Sequence, residues 1–432
     1  MRATCRKNPS KPLGKIELIA IALGGMVGGG IFSILGISVG IIGYATPIAI
    51  FLGGGLAYLA AFSYAKLTVY YKDEGATYSF FKRTYPQNRF AIFSIGWLIT
   101  FGYVSTLALY AYTFATYFTT LIPTGHAAAM QKTISFCILF IFVLINSYSV
   151  KGMGKIEDAM VYIKIILLLF ISGYFISYGD VQFIETFLHE SHPLHHVFIV
   201  AAITFVAYEG FQLAIHAYHE VDDPDRSIVF AIHWAIICAT LVYVILAVGA
   251  LMVIPKDVLI RDQEYALAAG ATKFMGIAGY IAVMAGALLA TSSAINGTLF
   301  GASRLISVIA ADGVFPRFLS KQNHHHIPQN AIFCMGLLAF IFVLTGELET
   351  IIEFGSITFI VVSFLMAMIN YKLHTKTGTH PWIALSAMIM LGLSCLAILY
   401  YELTQNVHQM LYIGGVYALL IGLAKIFSRK HT

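Results

Sequence analysis

Apolar runs long enough to cross a bilayer recur along the whole chain, at roughly 16–37, 41–64, 90–121, 132–149, 158–178, 197–218, 229–254, 274–300, 331–345, 350–370, 382–400 and 410–427. A crossing helix needs about 20 such residues, so the pattern predicts an all-α polytopic membrane protein with 12 transmembrane helices. The polar segments between the runs are short, which leaves no receptor ectodomain, kinase tail or catalytic lobe. Whatever the chain does, it does inside the bundle. Residues 1–15 read as a cytosolic N-terminal tail that is retained rather than cleaved. Spans one to five fill about 16–178 and spans six to ten about 197–370, giving a ten-helix core over 16–378. Residues 379–432 hold the last two spans and a cytosolic C-terminus.

Composition narrows the function classes. Of the 432 residues, 59% are apolar and 11% charged, against about 45–50% and 25% in soluble domains. Intrinsic disorder, nucleic-acid binding and secreted disulfide scaffolds are excluded. Cys5, Cys137, Cys238, Cys334 and Cys395 are scattered singly, which suggests neither a disulfide framework nor a metal site. His189, His192, His195 and His196 in one loop and His324, His325 and His326 in another lack metal-ligand spacing. The chain holds no HExxH, GxSxG or Walker pattern, so neither an enzyme nor an ATP-driven pump is expected, and no cofactor.

The formal charge of +5 becomes informative once it is distributed. With the N-terminus placed in the cytosol, the outer loops hold only Lys132, Lys256, Arg261 and Lys273, and Lys164 and Arg304 fall inside spans. Every other Lys and Arg lies on the cytosolic side. The positive-inside rule therefore predicts both termini in the cytosol of a cell membrane. What charge remains within the bilayer reduces to Glu209, Lys164 and Arg304.

Two spans carry an interruption at matching places in successive blocks of five. The first contains Gly24-Gly25-Met26-Val27-Gly28-Gly29-Gly30, and each glycine costs a helix about 1 kcal/mol relative to alanine. The sixth contains Phe205-Val206-Ala207-Tyr208-Glu209-Gly210 at mid-run. Such paired interruptions point to an inverted repeat with broken helices around a central site. A break survives in hydrocarbon only where it lines a cavity or a ligand takes up the freed backbone groups. Gly28, Gly29 and Gly30 let a ligand approach the main chain, and the half-helix after them aims its positive end at the gap. That suits a carboxylate. The competing reading is close helix packing through the Gly24 and Gly28 spacing.

Glu209 lies about 11 residues, or roughly 16 Å, from either end of its span, too deep to snorkel. An acid there is a functional-site hypothesis by default, as a proton carrier or a partner for a substrate amine; the alternative is an acid kept neutral against freed backbone. Lys164 is about 9 Å from the cytosolic start of its helix, which leaves open either snorkelling or an inward ammonium that carries protons. Arg304 divides between snorkelling and a cytosolic gate.

These residues carry a family resemblance. Gly25-Met26-Val27-Gly28-Gly29-Gly30-Ile31-Phe32 resembles the first-helix motif of the amino acid/polyamine/organocation (APC) superfamily. Phe205 to Gln212, followed by Glu220-Val221-Asp222-Asp223-Pro224, is similar to its sixth-helix signature. Glu74-Gly75-Ala76-Thr77-Tyr78 resembles the loop after helix two, and Ser293 to Arg304, running on to Asp312-Gly313, the eighth helix. The resemblance implies a LeuT-like 5+5 inverted repeat with broken helices 1 and 6. It implies a secondary-active permease that moves amino acids or close relatives by alternating access. The first-helix stretch from Met26 to Gly30 would hold the substrate carboxylate on the amides of Gly28, Gly29 and Gly30. Carbonyls near Phe205, Val206, Ala207 and Tyr208 would take the amine, with Glu209 and Gly210 completing the site. Lys164 matches a lysine that stands in some members where relatives bind sodium, which favours proton coupling or exchange, although Thr291, Ser292 and Ser293 offer oxygens to a cation. Phe205 and Arg304 are the gate candidates. Where many members carry a bulky aromatic in helix six this chain has Val206. Where many carry a serine within the glycine motif it has another glycine. A polyamine or organic-cation carrier and a non-transporting sensor are the alternatives; the expected partners are a small-molecule substrate, protons and the lipid bilayer.

Overall fold

The computed structural model describes residues 13–122, 126–148, 153–179, 187, 193–324 and 327–430. Most of the tail expected over 1–15, together with Cys5, Lys151, His189, His192, His325 and His326, lies outside the described residues. The described chain is helical, its helices being α1 (Lys15–Met26), α2 (Gly29–Ile42), α3 (Thr46–Tyr71), α4 (Ala76–Thr84), α5 (Arg89–Thr119), α6 (Ala127–Tyr148) and α7 (Met153–Tyr178). There follow α8 (Leu194–Ile203), α9 (Pro224–Val253), α10 (Ala266–Ala311), α11 (Gln329–Thr345), α12 (Leu348–Lys372), α13 (Pro381–Gln405) and α14 (Val407–Lys430).

Helix ends follow local chemistry. Pro47, Pro224 and Pro381 sit in the first turns of α3, α9 and α13, where no amide is missed. The Asn88 side chain caps α5 by accepting from the Ala91 amide at 3.1 Å. Lys72 closes α3 in the left-handed conformation. Gly276, with φ at +61°, leaves helical geometry inside α10, which is two helices joined at that kink; the first lies mostly ahead of the expected span 274–300 and the second runs past its end to Ala311.

Ten helical stretches among the described residues are long and apolar enough to cross a membrane. The difference from twelve has a local cause. The second half of span one runs into span two through the turn Gly43–Ala45, making Gly29–Tyr71 one stretch, and α11 has only 17 residues.

Burial sorts the helices into centre and periphery. In the most apolar stretch of Leu194–Glu220, 94% of residues are buried, against 17% in Val407–Arg429. The broken first and sixth spans are therefore enclosed by protein, while α14 exposes most of its surface. Helix α1 packs on α9, α10 and the segment Phe211–Glu220; α5 packs on α10 and α12; α13 lies along α12. This arrangement encloses both interruptions.

Candidate functional site

Helix α1 ends at Met26, Val27 leaves helical geometry at φ −80°, ψ 72°, Gly28 follows at φ −116°, ψ −145°, and α2 starts at Gly29. A helix that ends inside a bundle orphans its last carbonyls, and the next helix its first amides. The two sides are treated differently. The Gly24 carbonyl accepts from Lys164 Nζ at 2.9 Å, the Gly25 carbonyl from the Tyr110 hydroxyl at 3.0 Å and the Met26 carbonyl from the Tyr243 hydroxyl at 2.7 Å. Three successive acceptors are thus served from α7, α5 and α9. No side chain caps the start of α2, where the positive end of its dipole lies, and the Gly28 amide ahead of it turns back onto the Met26 carbonyl at 2.8 Å.

The second break differs in kind. Helix α8 ends at Ile203, whose carbonyl accepts from Ser356 Oγ at 2.6 Å. The chain then tightens into 3₁₀ geometry over Thr204–Tyr208, extends at Glu209 and resumes as 3₁₀ over Phe211–Glu220. Gly210 makes the turn with φ at +127°, a conformation that only glycine adopts readily. It also lies against the first break, since a Cβ on Gly210 would stand 2.6 Å from the Gly25 carbonyl carbon. A Cβ on Gly30 would stand 3.1 Å from the Ala207 Cα. The two interruptions meet main chain to main chain. Above them the Tyr243 hydroxyl, which donates to Met26, is also 3.0 Å from the Ala207 carbonyl.

Gly28 and Gly29 are held as closely from behind. A Cβ at Gly28 would come within 2.6 Å of the Ala294 Cβ and 2.8 Å of the Tyr110 ring, and one at Gly29 within 2.8 Å of Thr113 Oγ1. Glu209 is buried and neither carboxylate oxygen has a hydrogen-bond partner among the described groups. Gln212 stands beside it, and the phenols of Tyr64, Tyr103 and Tyr110 lie in its electrostatic field. Lys164 is fully buried and also reaches Ser293 Oγ at 3.4 Å, so its ammonium turns into the bundle rather than toward headgroups.

The side chains of four expected residues stand apart from this meeting point. Phe205 is fully buried, and Val206 packs between Gly355 and Ser105, on α12 and α5. Tyr208 ties its hydroxyl to the Ile50 carbonyl of α3 at 2.7 Å. Arg304 lies ten residues beyond Ala294 on α10, about 15 Å along the helix. Its guanidinium stacks on Phe300 at 3.4 Å, in the fields of Glu220 and Glu74. His216 Nδ1 is 2.6 Å from the Glu74 carbonyl, and burial pushes the Glu74 carboxyl above its ordinary range.

Sequence reasoning missed Tyr110, Tyr243 and Ser356, the groups that serve the freed carbonyls. Their only signal was a phenol or hydroxyl in the middle of an apolar run. The expectation that membrane charge reduces to Glu209, Lys164 and Arg304 is also corrected. Glu353 on α12 and Glu402 on α13 are buried as well, 3% and 0% exposed.

The amino acid permease family profile matches residues 13–421. The inner membrane transport protein YbaT of Escherichia coli is 27% identical over 437 residues that cover all of both chains. The methylthioribose transporter of Bacillus subtilis is 25% identical, covering 99% of this chain and 95% of its own. Among solved structures, the manganese transporter of Eremococcus coleocola superposes with a TM-score of 0.65 at 14% identity, over 100% of each chain. That likeness carries the LeuT-like fold alone. The protein is a multi-pass membrane transporter of amino acids or closely related compounds, and the chain belongs to the amino acid permease family.

Proposed function

We propose that one substrate site lies where the two breaks meet, and that alternating access through it is coupled to protons. The substrate carboxylate takes the amides of Gly28, Gly29 and Gly30 beside Met26, and its amino group takes main-chain carbonyls between Phe205 and Tyr208, beside Glu209 and Gly210. The observation that carries this reading is the asymmetry of the first break. Side chains serve Gly24, Gly25 and Met26 on the acceptor side, while the donor side carries no cap. An anion supplies what is missing there.

Lys164 and Glu209 are the coupling residues in this proposal. Lys164 already engages the Gly24 carbonyl and Ser293 Oγ, two oxygens that a sodium ion would need, which supports protons or exchange over sodium. Arg304 and Phe205 act as gates, Arg304 in the electrostatic fields of Glu74 and Glu220. The ten-helix core over 16–378 does the transport, α13 and α14 are peripheral, and both termini face the cytosol of a cell membrane.

Reconstituted protein should take up amino acids saturably and faster under an imposed pH gradient, and Lys164→Ala should abolish the response to the gradient. Transport by Lys164→Ala with the gradient response intact would remove the lysine from the mechanism. The unpartnered Glu209 carboxylate favours a second reading, a cationic amine substrate. Thermal-shift screening separates the two: carboxylates without an amine stabilise the first kind of site and amines without a carboxylate the second.

A further inference from the structure

Helix α5 passes behind the first break, and one face of it reaches both half-helices. Tyr110 and Thr113 are three residues apart and share that face; Tyr117 continues it one turn on. The Tyr110 hydroxyl donates to the Gly25 carbonyl of α1 at 3.0 Å. Beyond the break, Thr113 meets α2 at two levels one turn apart. Its Oγ1 is 2.8 Å from where a Cβ on Gly29 would stand and 2.8 Å from Ser33 Oγ. The Tyr117 ring lies edge-on to Phe32, the centroids 5.7 Å apart. Ser33 and Thr113 are fully buried.

Counting hydrogens gives the bond its direction. Thr113 has one hydroxyl hydrogen and donates it to the Leu109 carbonyl of its own helix at 2.8 Å, so toward Ser33 it accepts. Ser33 therefore donates across to α5. A buried helical serine otherwise turns back on the carbonyl four residues earlier, as Ser147 and Ser172 do at 2.7 Å. Ser33 is the only polar side chain between Gly29 and Leu35, so no other side chain of that stretch can tie it to a neighbour by a hydrogen bond. Thr291 of α10 also comes against Gly29, but through its Cγ2 methyl, 3.3 Å from the same Cβ position, with its hydroxyl donated to the Ala287 carbonyl at 2.7 Å.

A main-chain donor has no rotamer to adjust, so it points wherever its helix stands. A bond from an amide to a carboxylate weakens steeply once its angle is lost. We propose that Thr113 is a positioning residue for the substrate carboxylate. It holds α2 through Ser33 while Tyr110, on the same face, holds α1, and together they set the width of the first break and the place of the Gly29 and Gly30 amides. This role rests on the substrate reading above. Its effect is confined to the acid group of the substrate, because the amino group lies at the second break.

Thr113→Val keeps the shape and removes the acceptor, and Ser33→Ala removes the donor. The test is uptake, into proteoliposomes of the full-length protein, of the proteinogenic L-amino acid that the parent carries fastest. Each variant should show a Km about three- to tenfold higher at an unchanged maximal rate, the range of one neutral hydrogen bond. The amine that lacks the carboxylate should inhibit parent and variants equally, so the preference for amino acid over amine narrows by the same factor. Thr113→Ser, which keeps the oxygen, should restore that preference, and the double variant should be no worse than the weaker single one. A bond that only supports the fold would lower the unfolding temperature and leave the preference intact. Full preference in Thr113→Val, or effects that multiply in the double variant, would overturn the role of Thr113 and leave the substrate reading standing. A parent that binds the amine as tightly as the amino acid would overturn the substrate reading, and the role of Thr113 with it. Should Thr113→Val not fold, Ser33→Ala decides, since it exchanges serine for the best helix former.

Discussion

At the scale of single residues, the site rests on phenols and an ammonium that hold main chain in place. Tyr243→Phe removes one hydroxyl without changing shape, and it takes a donor from the Met26 and Ala207 carbonyls, at a cost of about 0.5–1.5 kcal/mol. The unfolding temperature of purified Tyr243→Phe should fall, and its substrate affinity should drop about tenfold if about 1.4 kcal/mol of that cost appears in binding. An unchanged Km and an unchanged unfolding curve would show that the two breaks are positioned by packing alone. The residues legible in the sequence were those that contradict their surroundings: Glu209 at mid-span, Lys164 inside an apolar run, five glycines in seven positions. Tyr110 and Tyr243 were not legible, because the chain has 25 tyrosines and a phenol in a membrane helix violates nothing until its partner is known. Glu353 and Glu402 were hidden differently. Each lies near the end of an apolar run, where an acid reads as an interface residue, and only the packing of α13 on α12 makes it buried.

At the scale of elements, the helix breaks are the feature that sequence and structure share. A glycine cluster marks the first and the single Gly210 the second, and the structure adds that they are in contact. Gly210 carries the larger share of that contact, with a positive φ and its Cα against the backbone of Gly25 and Met26. Gly210→Ala should cost about 1–3 kcal/mol from backbone strain alone and more from the clash, and should abolish uptake. Gly173→Ala on α7, where an added Cβ meets nothing within 4 Å, should leave uptake intact and gain up to about 1 kcal/mol of helix propensity. Equal losses in both variants would mean that glycine content, rather than the meeting of the breaks, limits activity. Span ends were less legible than span centres. Helix α10 overruns its expected start because a separate helix joins it across the kink at Gly276, and α11 is short because Gly346 stops it before a full crossing.

At the scale of the whole molecule, the chain is a bundle whose centre is defined by enclosure rather than by hydrophobicity, since all of its spans are apolar. That ordering into core and periphery could not be read from composition. The distribution of Lys and Arg predicts an orientation, which labelling tests. A cysteine introduced as Asn406→Cys, between α13 and α14, should react with a membrane-impermeant maleimide added outside cells. One introduced as Lys321→Cys, before α11, should react only after the membrane is opened, both in a background without the five native cysteines. The reverse labelling pattern would invert the protein and move the positive-inside side to the exterior.

The hydroxyl of Tyr243 has a further consequence. It carries one hydrogen and faces two acceptors, Met26 from the first repeat and Ala207 from the second, and a phenol can donate to only one of them at a time. The two halves of the inverted repeat therefore share a single phenolic donor, and Met26 has a second one in the Gly28 amide at 2.8 Å. Separating the repeats therefore strands neither group: Met26 keeps the Gly28 amide and the phenol keeps Ala207 within its own repeat.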